Sequence, residues 1–324
     1  MAQTVKFKEG IKRRDFVKSF GTGSAAASVM PVLAGKTYAQ SQEKEKPVTN
    51  IEDAKKVKRT ENSMPSKYPG KVVQTTNEKA VSDRKINYEI VNEMLKKSML
   101  TLTGAKNINN AWQQFVKKDE VIGLKVNPVA GKQLSTSLEI TKAVISQLKE
   151  AGVPDKNIVI WDRRQFELED VGFNADNFPG IKIAGTEIKD KEGSFYDQNG
   201  KQYGEKMIDR DWFFYADCEQ KYDAETLPYM INEGKYSYFT RIVTKDVDKI
   251  INIPILKNAG ATVTLCMKNL AYGAITNTAR LHRPLWSETC AYVPAFAPLR
   301  DKVVLNIVDG IIGCYEGGPG ANPQ

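Results

Sequence analysis

A strand–helix–strand unit constrains the fold of this chain more than any other sequence feature. The run Val121–Val126 is short, apolar and closed by a proline-containing turn, which is typical of a buried strand. Residues 136–151 follow with apolar side chains at helical spacing, and Ser135 or Thr136 can cap that helix. Residues 157–161 form a second apolar run. A helix that connects two such strands predicts that they pair in parallel, with a right-handed crossover.

Further segments extend this pattern into an α/β fold. Residues 249–253 and 303–308 are predicted core strands, and residues 87–102 and 261–270 are predicted helices. Residues 181–245 differ, because short polar and aromatic runs alternate there with hairpin signals such as Asn-Gly. We expect an open, mostly parallel sheet with helices on both faces and an antiparallel β insertion near 181–245.

Polar side chains follow each of the four predicted parallel strands at its carboxyl end. In open α/β sheets ligands bind outside that edge, so these side chains are candidates for ligand binding. The candidates are Lys125, Asn127, Asp162, Arg163, Asn252, Lys257 and, further along the chain, Asn269. Loops are polar wherever they lie, and a lysine in a loop is usually solvated, so the convergence of several strands carries this prediction rather than any one residue. Of the pair Arg163-Arg164, which can hold a carboxylate or a phosphate, one is expected to point to solvent.

Three residues are candidates for catalysis. His282 is the only imidazole in the chain and titrates nearest to neutral pH. Lys268 can act as a base or as a Schiff-base nucleophile if it is desolvated. Asp309 follows the last predicted strand and can bind a hard cation or a hydroxyl group. The alternatives are a structural histidine, a solvated lysine, and an aspartate that caps a helix.

Several site classes are excluded or disfavoured by the composition. A single histidine excludes sites that need several imidazoles from one chain, such as three-histidine zinc sites. The four cysteines contain no C-x-x-C pair, which disfavours an iron–sulfur cluster. No G-x-G-x-x-G follows a strand, and the Walker lysine is missing after the glycines near residue 318.

The basic charge of the chain is concentrated at its N-terminus. The chain carries 47 Lys and Arg against 39 Asp and Glu, a net charge of +8. Residues 1–39 contain seven of these basic residues and two acidic ones, so the remainder has a net charge of only +3. We therefore expect no nucleic-acid partner.

The N-terminus has the three regions of a secretory signal. Arg13 and Arg14 precede Phe16, an apolar stretch covers residues 20–33, and residues 37–39 offer a small-x-small cleavage site. The paired arginines resemble the twin-arginine (Tat) export motif. This predicts a Tat signal peptide over 1–39, recognition by the Tat translocase through both arginines, only transient membrane contact and a periplasmic location. A basic amphipathic helix and an uncleaved anchor are the alternatives.

Four motifs in order resemble the domain-of-unknown-function 362 family. They are residues 121–128 (VIGLKVNP), 248–257 (DKIINIPILK) leading to 264–273 (TLCMKNLAYG), the pair Leu281-His282, and residues 306–310 (NIVDG) with 316–319 (EGGP). The resemblance spans roughly residues 115–324. Its pattern carries over to Lys125, Asn127, Asp162, Asn252, Lys257, Lys268, Asn269, His282 and Asp309.

What the resemblance implies about activity is limited. The activity of this family is unassigned, although relatives with an appended ferredoxin segment suggest redox work. The sequence departs from the family pattern in two ways. Asn258 stands where relatives often have a small polar residue followed by histidine, and the chain ends at Gln324, where relatives usually continue with a further strand and helix. We therefore expect a single α/β domain over 71–324, incomplete at its C-terminus, after a polar linker over 40–70.

Three functions remain open at this stage. The first is a periplasmic enzyme that acts on a small anionic or hydroxylated ligand at the carboxyl edge of the sheet, with redox-linked chemistry as one option. The second is an exported ligand-binding or accessory protein without turnover. The third is a maturation partner for another exported protein. No metal or cofactor is assigned from the sequence.

Overall fold

The computed structural model describes residues 46–218, 234–259, 262–316 and 318. The signal segment and the glycine-rich end of the chain lie outside these residues. The strands are β1 Val81–Ser82, β2 Lys85–Ile86, β3 Ile122–Lys125, β4 Ile158–Arg164, β5 Lys182–Glu187, β6 Ile208–Tyr215, β7 Tyr236–Thr240, β8 Lys249–Asn252, β9 Ile255–Ala259, β10 Thr262–Thr264, β11 Val303–Asn306 and β12 Asp309–Cys314. The α-helices are α1 Ile51–Lys56, α2 Tyr88–Thr103, α3 Ile108–Trp112, α4 Leu138–Glu150, α5 Gln165–Asp170, α6 Cys266–Ala274, α7 Trp286–Tyr292 and α8 Ala297–Arg300.

Five parallel strands form the central sheet, in the order β11-β8-β3-β4-β5. The chain enters at β3, moves outward through β4 and β5, and then returns to the other side of β3 through β8 and β11. This is the order in which the first five strands of doubly wound dinucleotide-binding sheets are arranged. The order reverses between β3 and β8, and ligands bind at such a switch point, outside the carboxyl ends of the strands.

Helices cover both faces of this sheet, as predicted. On one face, Ile122, Leu124 and Ile160 pack in a core shared with α2 and α4. On the other face, Val159 and Trp161 pack in a second core shared with α6 and α8. Alternate residues of β4 therefore serve opposite cores, which is why its first four residues are all apolar.

The region predicted as an antiparallel insertion is divided between two structures. β6 and β7 pair antiparallel, and Tyr196 and Gln202 form an antiparallel bridge around the Asn-Gly turn. β5, however, lies in the same region and pairs in parallel with β4, as its fifth-strand position in the sheet requires. The parallel sheet is thus one strand wider than the sequence suggested.

Other local predictions differ from the structure. The helix expected over 261–270 begins only at Cys266, because β9 and β10 form a hairpin before it, and it continues to Ala274. The cap of α4 is Ser137 rather than Ser135 or Thr136.

Part of the predicted linker is packed against the body of the protein. Residues 51–56 form α1, in which Ala54 is buried. Arg300 donates to the carbonyl oxygens of Ala54, Val57 and Lys58 at the C-terminal end of this helix. A cation at that end satisfies free carbonyls and complements the helix dipole, so a short polar segment can be held in place.

Within the described residues, no helix has both the length and the apolar character needed to cross a bilayer.

Candidate functional site

Register brings the polar residues of three strands side by side at the switch point. Lys125 lies opposite Asn252 in the pairing of β3 with β8, and Asn252 lies opposite Asn306 in the pairing of β8 with β11. The predicted convergence of polar side chains at the carboxyl edge is therefore present in the structure. Lys125 and Asn252 are buried, which the sequence did not indicate, whereas Asn306 is exposed.

Six of the predicted residues form one contiguous cluster, here called the buried network. Its members are Lys125, Asn127, Asp162, Asn252, Lys257 and Asn269, each at most 7% exposed. Charged and amide groups are rarely so buried unless they are paired, so their hydrogen bonds determine what this cluster can do.

Lys125 is the central cation of the buried network. Its Nζ lies 2.5 Å from Oδ1 of Asp162, and it donates to Oδ1 of Asn269 at 3.0 Å and to the carbonyl of Val126 at 2.6 Å. Burial lowers the pKa of Lys125, while Asp162 opposes that shift. All three donors of the ammonium are used, so Lys125 is a structural cation whose charge Asp162 neutralises.

The three asparagines form a chain of amide contacts. Asn269 accepts from Nδ2 of Asn127 at 3.0 Å and donates to Oδ1 of Asn252 at 2.8 Å. Asn252 then donates to Oδ1 of Asn306 at 2.8 Å and to the carbonyl of Cys266 at 3.1 Å. Because these groups bind one another, the geometry supports a positioning role for the asparagines rather than direct ligand contact.

Lys257 is the second lysine of the buried network. Its Nζ donates to Oδ1 of Asn127 at 3.0 Å and to the carbonyl of Val129 at 2.5 Å. Burial first, and then repulsion by Lys268 and Lys125, lower the pKa of Lys257 to about 8, although Asp162 acts in the opposite direction. Neither contact neutralises its charge, since both partners are neutral.

A glycine allows helix α6 to lie against the buried ion pair. A Cβ at Gly273 would stand 2.0 Å from Cε and 2.6 Å from Nζ of Lys125, and 3.0 Å from Oδ1 of Asp162. Any side chain at this position would collide with both partners. The approach of α6 to the sheet therefore depends on this glycine.

Lys268 and His282 lie in a second group, here called the aromatic cluster, with Tyr272 and Trp286. Nζ of Lys268 is 4.2 Å from the ring centroid of Trp286 and 5.6 Å from that of Tyr272. The His282 ring lies 4.5 Å from Tyr272 and 5.1 Å from Trp286, centroid to centroid. Lys268 and His282 are partly exposed, and so is Trp286. Among the described residues Lys268 has no carboxylate partner, and burial lowers its pKa.

The tautomer of His282 follows from its contact with Thr278. Nδ1 lies 3.1 Å from the carbonyl oxygen of Thr278, which can only accept, so Nδ1 carries the proton and Nε2 has the free lone pair. Burial and the nearby charge of Lys268 lower the pKa of His282 to about 4. The ring is therefore neutral at pH 7 and can accept a hydrogen bond or a proton at Nε2.

Arg163 and Arg164, at the end of β4, both pair with a carboxylate, contrary to the expectation that one points to solvent. Nε of Arg163 lies 3.4 Å from Glu187, and its guanidinium also donates to the hydroxyl of Thr278. Arg164 pairs with Glu187 at 3.0 Å and with Glu167 at 2.8 Å. Glu187 is fully buried on β5, the strand that the sequence analysis did not place in the sheet. Its pairing with both arginines could therefore not be predicted from the sequence.

Asp309 stands apart from the two other catalytic candidates in its contacts. Its Oδ2 accepts from both the backbone N–H and the hydroxyl of Ser137 at 2.8 Å, and its Oδ1 accepts from the N–H of Ile311 at 3.1 Å. Burial raises the pKa of Asp309, and the bonds from Ser137 counter that shift. The carboxylate thus sits at the start of α4, so the geometry gives Asp309 a capping role, the alternative noted from the sequence.

This placement also bears on nucleotide binding. In doubly wound folds the helix after the first strand directs its N-terminus at a ligand phosphate. Here a buried protein carboxylate occupies that position at α4. A dinucleotide could not place its phosphates there in the usual way, which agrees with the missing glycine pattern.

Several members of the site were not singled out from the sequence. Tyr272 follows Lys268 by four residues on α6, so helical spacing could have revealed this first pair. His282 lies in the turn before α7, which begins at Trp286, so helical spacing does not relate these two residues. The predicted helix end at residue 270 hid the first pair. Thr278 had no signal, because its role depends on its carbonyl.

No group of three or more histidine, cysteine or acidic side chains that could hold a metal ion occurs in the described part of the chain. Burial raises the pKa of the Cys266 thiol and of the Cys290 thiol to about 11.

The class of protein defined by fold and site is an α/β protein with a doubly wound strand order and a lysine-rich switch point. A model of the family described as "Domain of unknown function (DUF362)" matches residues 213–324, and this supports the resemblance noted from the sequence. The match includes the motifs from Asp248 onward but not residues 121–128.

Comparison with known structures found a distant likeness. A crystal structure of a Thermotoga maritima protein from a structural genomics consortium has a TM-score of 0.39 and 10% sequence identity. The alignment covers 69% of this chain and 51% of that one, so the chain spans about half the length of that structure. No curated protein sequence matches the chain significantly.

Proposed function

We propose that this protein binds a small anionic ligand at the carboxyl edge of the sheet, beside β3 and β8, and acts on it as an enzyme. One observation carries the proposal: Lys125, Lys257 and Lys268 lie within electrostatic range, and Asp162 is the only carboxylate within ion-pair distance of any of them among the described residues. An anion would relieve the repulsion that lowers the pKa of Lys257.

The ligand is expected to be anionic rather than merely hydroxylated. A hydroxylated ligand needs free amide or carboxylate groups, but the amides of the buried network already bind one another. Lys268, His282 and Arg163 are the partly exposed polar members of the site. Lys268 would contact the anion, Lys257 would contribute charge, and Nε2 of His282 would accept a proton from the ligand.

A ligand-binding protein without turnover is the alternative, and one observation favours it. With a pKa of about 4, His282 is a weak base. An anion bound near Lys268 would raise that pKa, because the repulsive charge would be compensated. A His282 pKa that stays near 4 in the ligand complex, measured by NMR, would favour the binding protein.

The experiment that tests the proposal is the thermal stability of the protein with phosphate, sulfate, oxalate and pyruvate, compared with glycerol as a neutral solute. A ligand that binds only the folded protein raises its unfolding free energy by RT ln(1 + [L]/Kd), where [L] is the free ligand concentration. We expect the anions to raise the melting temperature of the wild type, and to do so much less in Lys268→Gln. The matched control is Lys302→Gln, because Lys302 is also desolvated but binds backbone carbonyls such as that of Val243.

The affinity should also depend on pH in a defined direction. Lys257 is protonated below its pKa of about 8 and neutral above it. The dissociation constant of an anion should therefore rise with pH above about 8, by up to tenfold per unit if the charge of Lys257 is required. Equal stabilisation by anions and glycerol, or no difference between the two variants, would contradict the proposal.

Export remains part of the proposal. The paired Arg13-Arg14, the apolar stretch and the small-residue site support a Tat signal and a periplasmic location. These residues lie outside the described part of the chain, so the support comes from their sequence alone.

A further inference from the structure

The chemistry of Lys268 narrows the class of ligand further, and this inference rests on the proposed function. Of the three lysines at the switch point, Lys125 donates all its protons to acceptors, and Lys257 is 2% exposed and donates to two oxygens. Lys268 is partly exposed, and within the described residues its ammonium contacts the aromatic faces of Trp286 and Tyr272. Of the three lysines, Lys268 is therefore the one whose nitrogen donates to no oxygen among the described residues and whose side chain is the most exposed to solvent.

We propose that Lys268 forms an imine with the carbonyl group of a small oxo acid whose carboxylate lies in the positive field of Lys257 and Arg163. Lys268 and His282 both contact the rings of Tyr272 and Trp286, and Arg163 and His282 both contact Thr278. Lys268 also acts on Lys257 electrostatically, so the cations and the imidazole are neighbours. A lysine next to a second cation is a recognised arrangement for an amine nucleophile.

The step balances without a further reactant. The neutral Nζ of Lys268 attacks the carbonyl carbon, a C–N bond forms, and the carbonyl π electrons move to oxygen. The oxygen takes up the two protons that the amine loses and leaves as water, which produces the C=N bond. The carbonyl of Thr278 holds the proton of His282 on Nδ1, so Nε2 is unprotonated. Nε2 would carry a proton from the amine nitrogen to the carbonyl oxygen of the oxo acid.

Two effects act on the protonation of Lys268. Burial lowers its pKa, while the contact with Trp286 stabilises its ammonium form. Imine formation should become faster as the pH rises, because the neutral amine is the nucleophile.

The test is reductive trapping of the wild-type protein with pyruvate and sodium borohydride. We expect one adduct per chain by intact mass spectrometry, located on Lys268 by peptide mapping. Acetone offers a ketone without a carboxylate and should be trapped about tenfold more slowly, because it lacks the attraction of the neighbouring cations.

Lys268→Arg is the decisive variant, because it keeps the positive charge and cannot form an imine. We expect it to lose the adduct, and Lys302→Arg should trap as the wild type does. An adduct spread over surface lysines, or one that persists in Lys268→Arg, overturns the imine.

The two proposals can fail separately. If phosphate and pyruvate stabilise the wild type but no adduct forms on Lys268, the imine is overturned and anion binding stands. If no anion stabilises the protein and no adduct forms, both proposals are overturned.

Discussion

At the scale of single residues, His282 links the site to the stability of the protein. Its pKa falls from the ordinary 6.5 to about 4 on folding, because burial and Lys268 disfavour the imidazolium. Between these values the unfolded chain binds a proton that the folded chain does not. The contribution of His282 to the unfolding free energy is therefore fully present above about pH 6.5, and it is lost as the pH falls through about 4.

Replacement of His282 by Gln should remove this pH dependence. We expect the wild type to lose roughly 1–3 kcal/mol of unfolding free energy between pH 6.5 and 4 through this residue, after allowance for partial solvent screening. His282→Gln should show a correspondingly flatter profile in urea titrations over that interval. Because His282 is the only histidine, no other imidazole can supply the same dependence. Parallel profiles for the two proteins would show that the ring is not desolvated as described.

At the scale of elements, the packing of α6 on the sheet depends on Gly273. Gly273→Ala places a methyl group within 2.0 Å of Cε of Lys125, so either the helix or the ion pair must move. We expect a loss of about 3 kcal/mol of unfolding free energy, typical of overpacking combined with a disturbed buried ion pair. Gly310→Ala is the control, since its nearest contact would be Leu256 at 3.7 Å and it should change stability by less than about 0.5 kcal/mol. Similar losses in both variants would contradict the close approach of α6.

The start of α4 depends on a pair of residues distant in sequence. Ser137 caps the helix and also donates twice to Asp309. We expect Ser137→Ala and Asp309→Asn each to cost about 1–2 kcal/mol, with a coupling of about 1 kcal/mol in the double variant. Asn87→Ala removes the corresponding cap of α2, and its effect should simply add to that of Asp309→Asn. An additive result for Ser137 and Asp309 would mean that the carboxylate does not support the cap.

At the scale of the whole molecule, the prediction concerns where the protein resides. Replacement of Arg13 and Arg14 by lysines keeps the charge but removes the paired guanidinium groups of the Tat-like motif. We expect the variant to accumulate in the cytoplasm at its full length, while the wild type is recovered from the periplasm in a shortened form. Cell fractionation with mass determination of the purified chains measures both. Equal periplasmic amounts of the two proteins would exclude this route.

Much of the architecture was predictable because it depends on local patterns. The apolar runs at β3, β4, β8 and β11 and the stripe of α4 read correctly, since buried strands and amphipathic helices have distinct periods. β5 was missed because its sequence, KIAGTE, lacks a clear apolar run. The hairpin of β9 and β10 was missed because its residues match a helical stripe equally well, and tertiary contacts decide between the two.

The candidate site was predictable in membership but not in arrangement. Parallel strands bring their carboxyl ends to one edge, so the sequence alone determined that lysines, asparagines and an aspartate would meet there. Which of them face a ligand depends on distances between residues more than 100 positions apart, such as Lys125 and Asn269. Only the tertiary structure decided that the amides bind one another, that Asp309 supports a helix, and that Lys268 and His282 share an aromatic surface. The physical reason is that burial and hydrogen-bond partners, which set the role of a polar group, are properties of the packed chain.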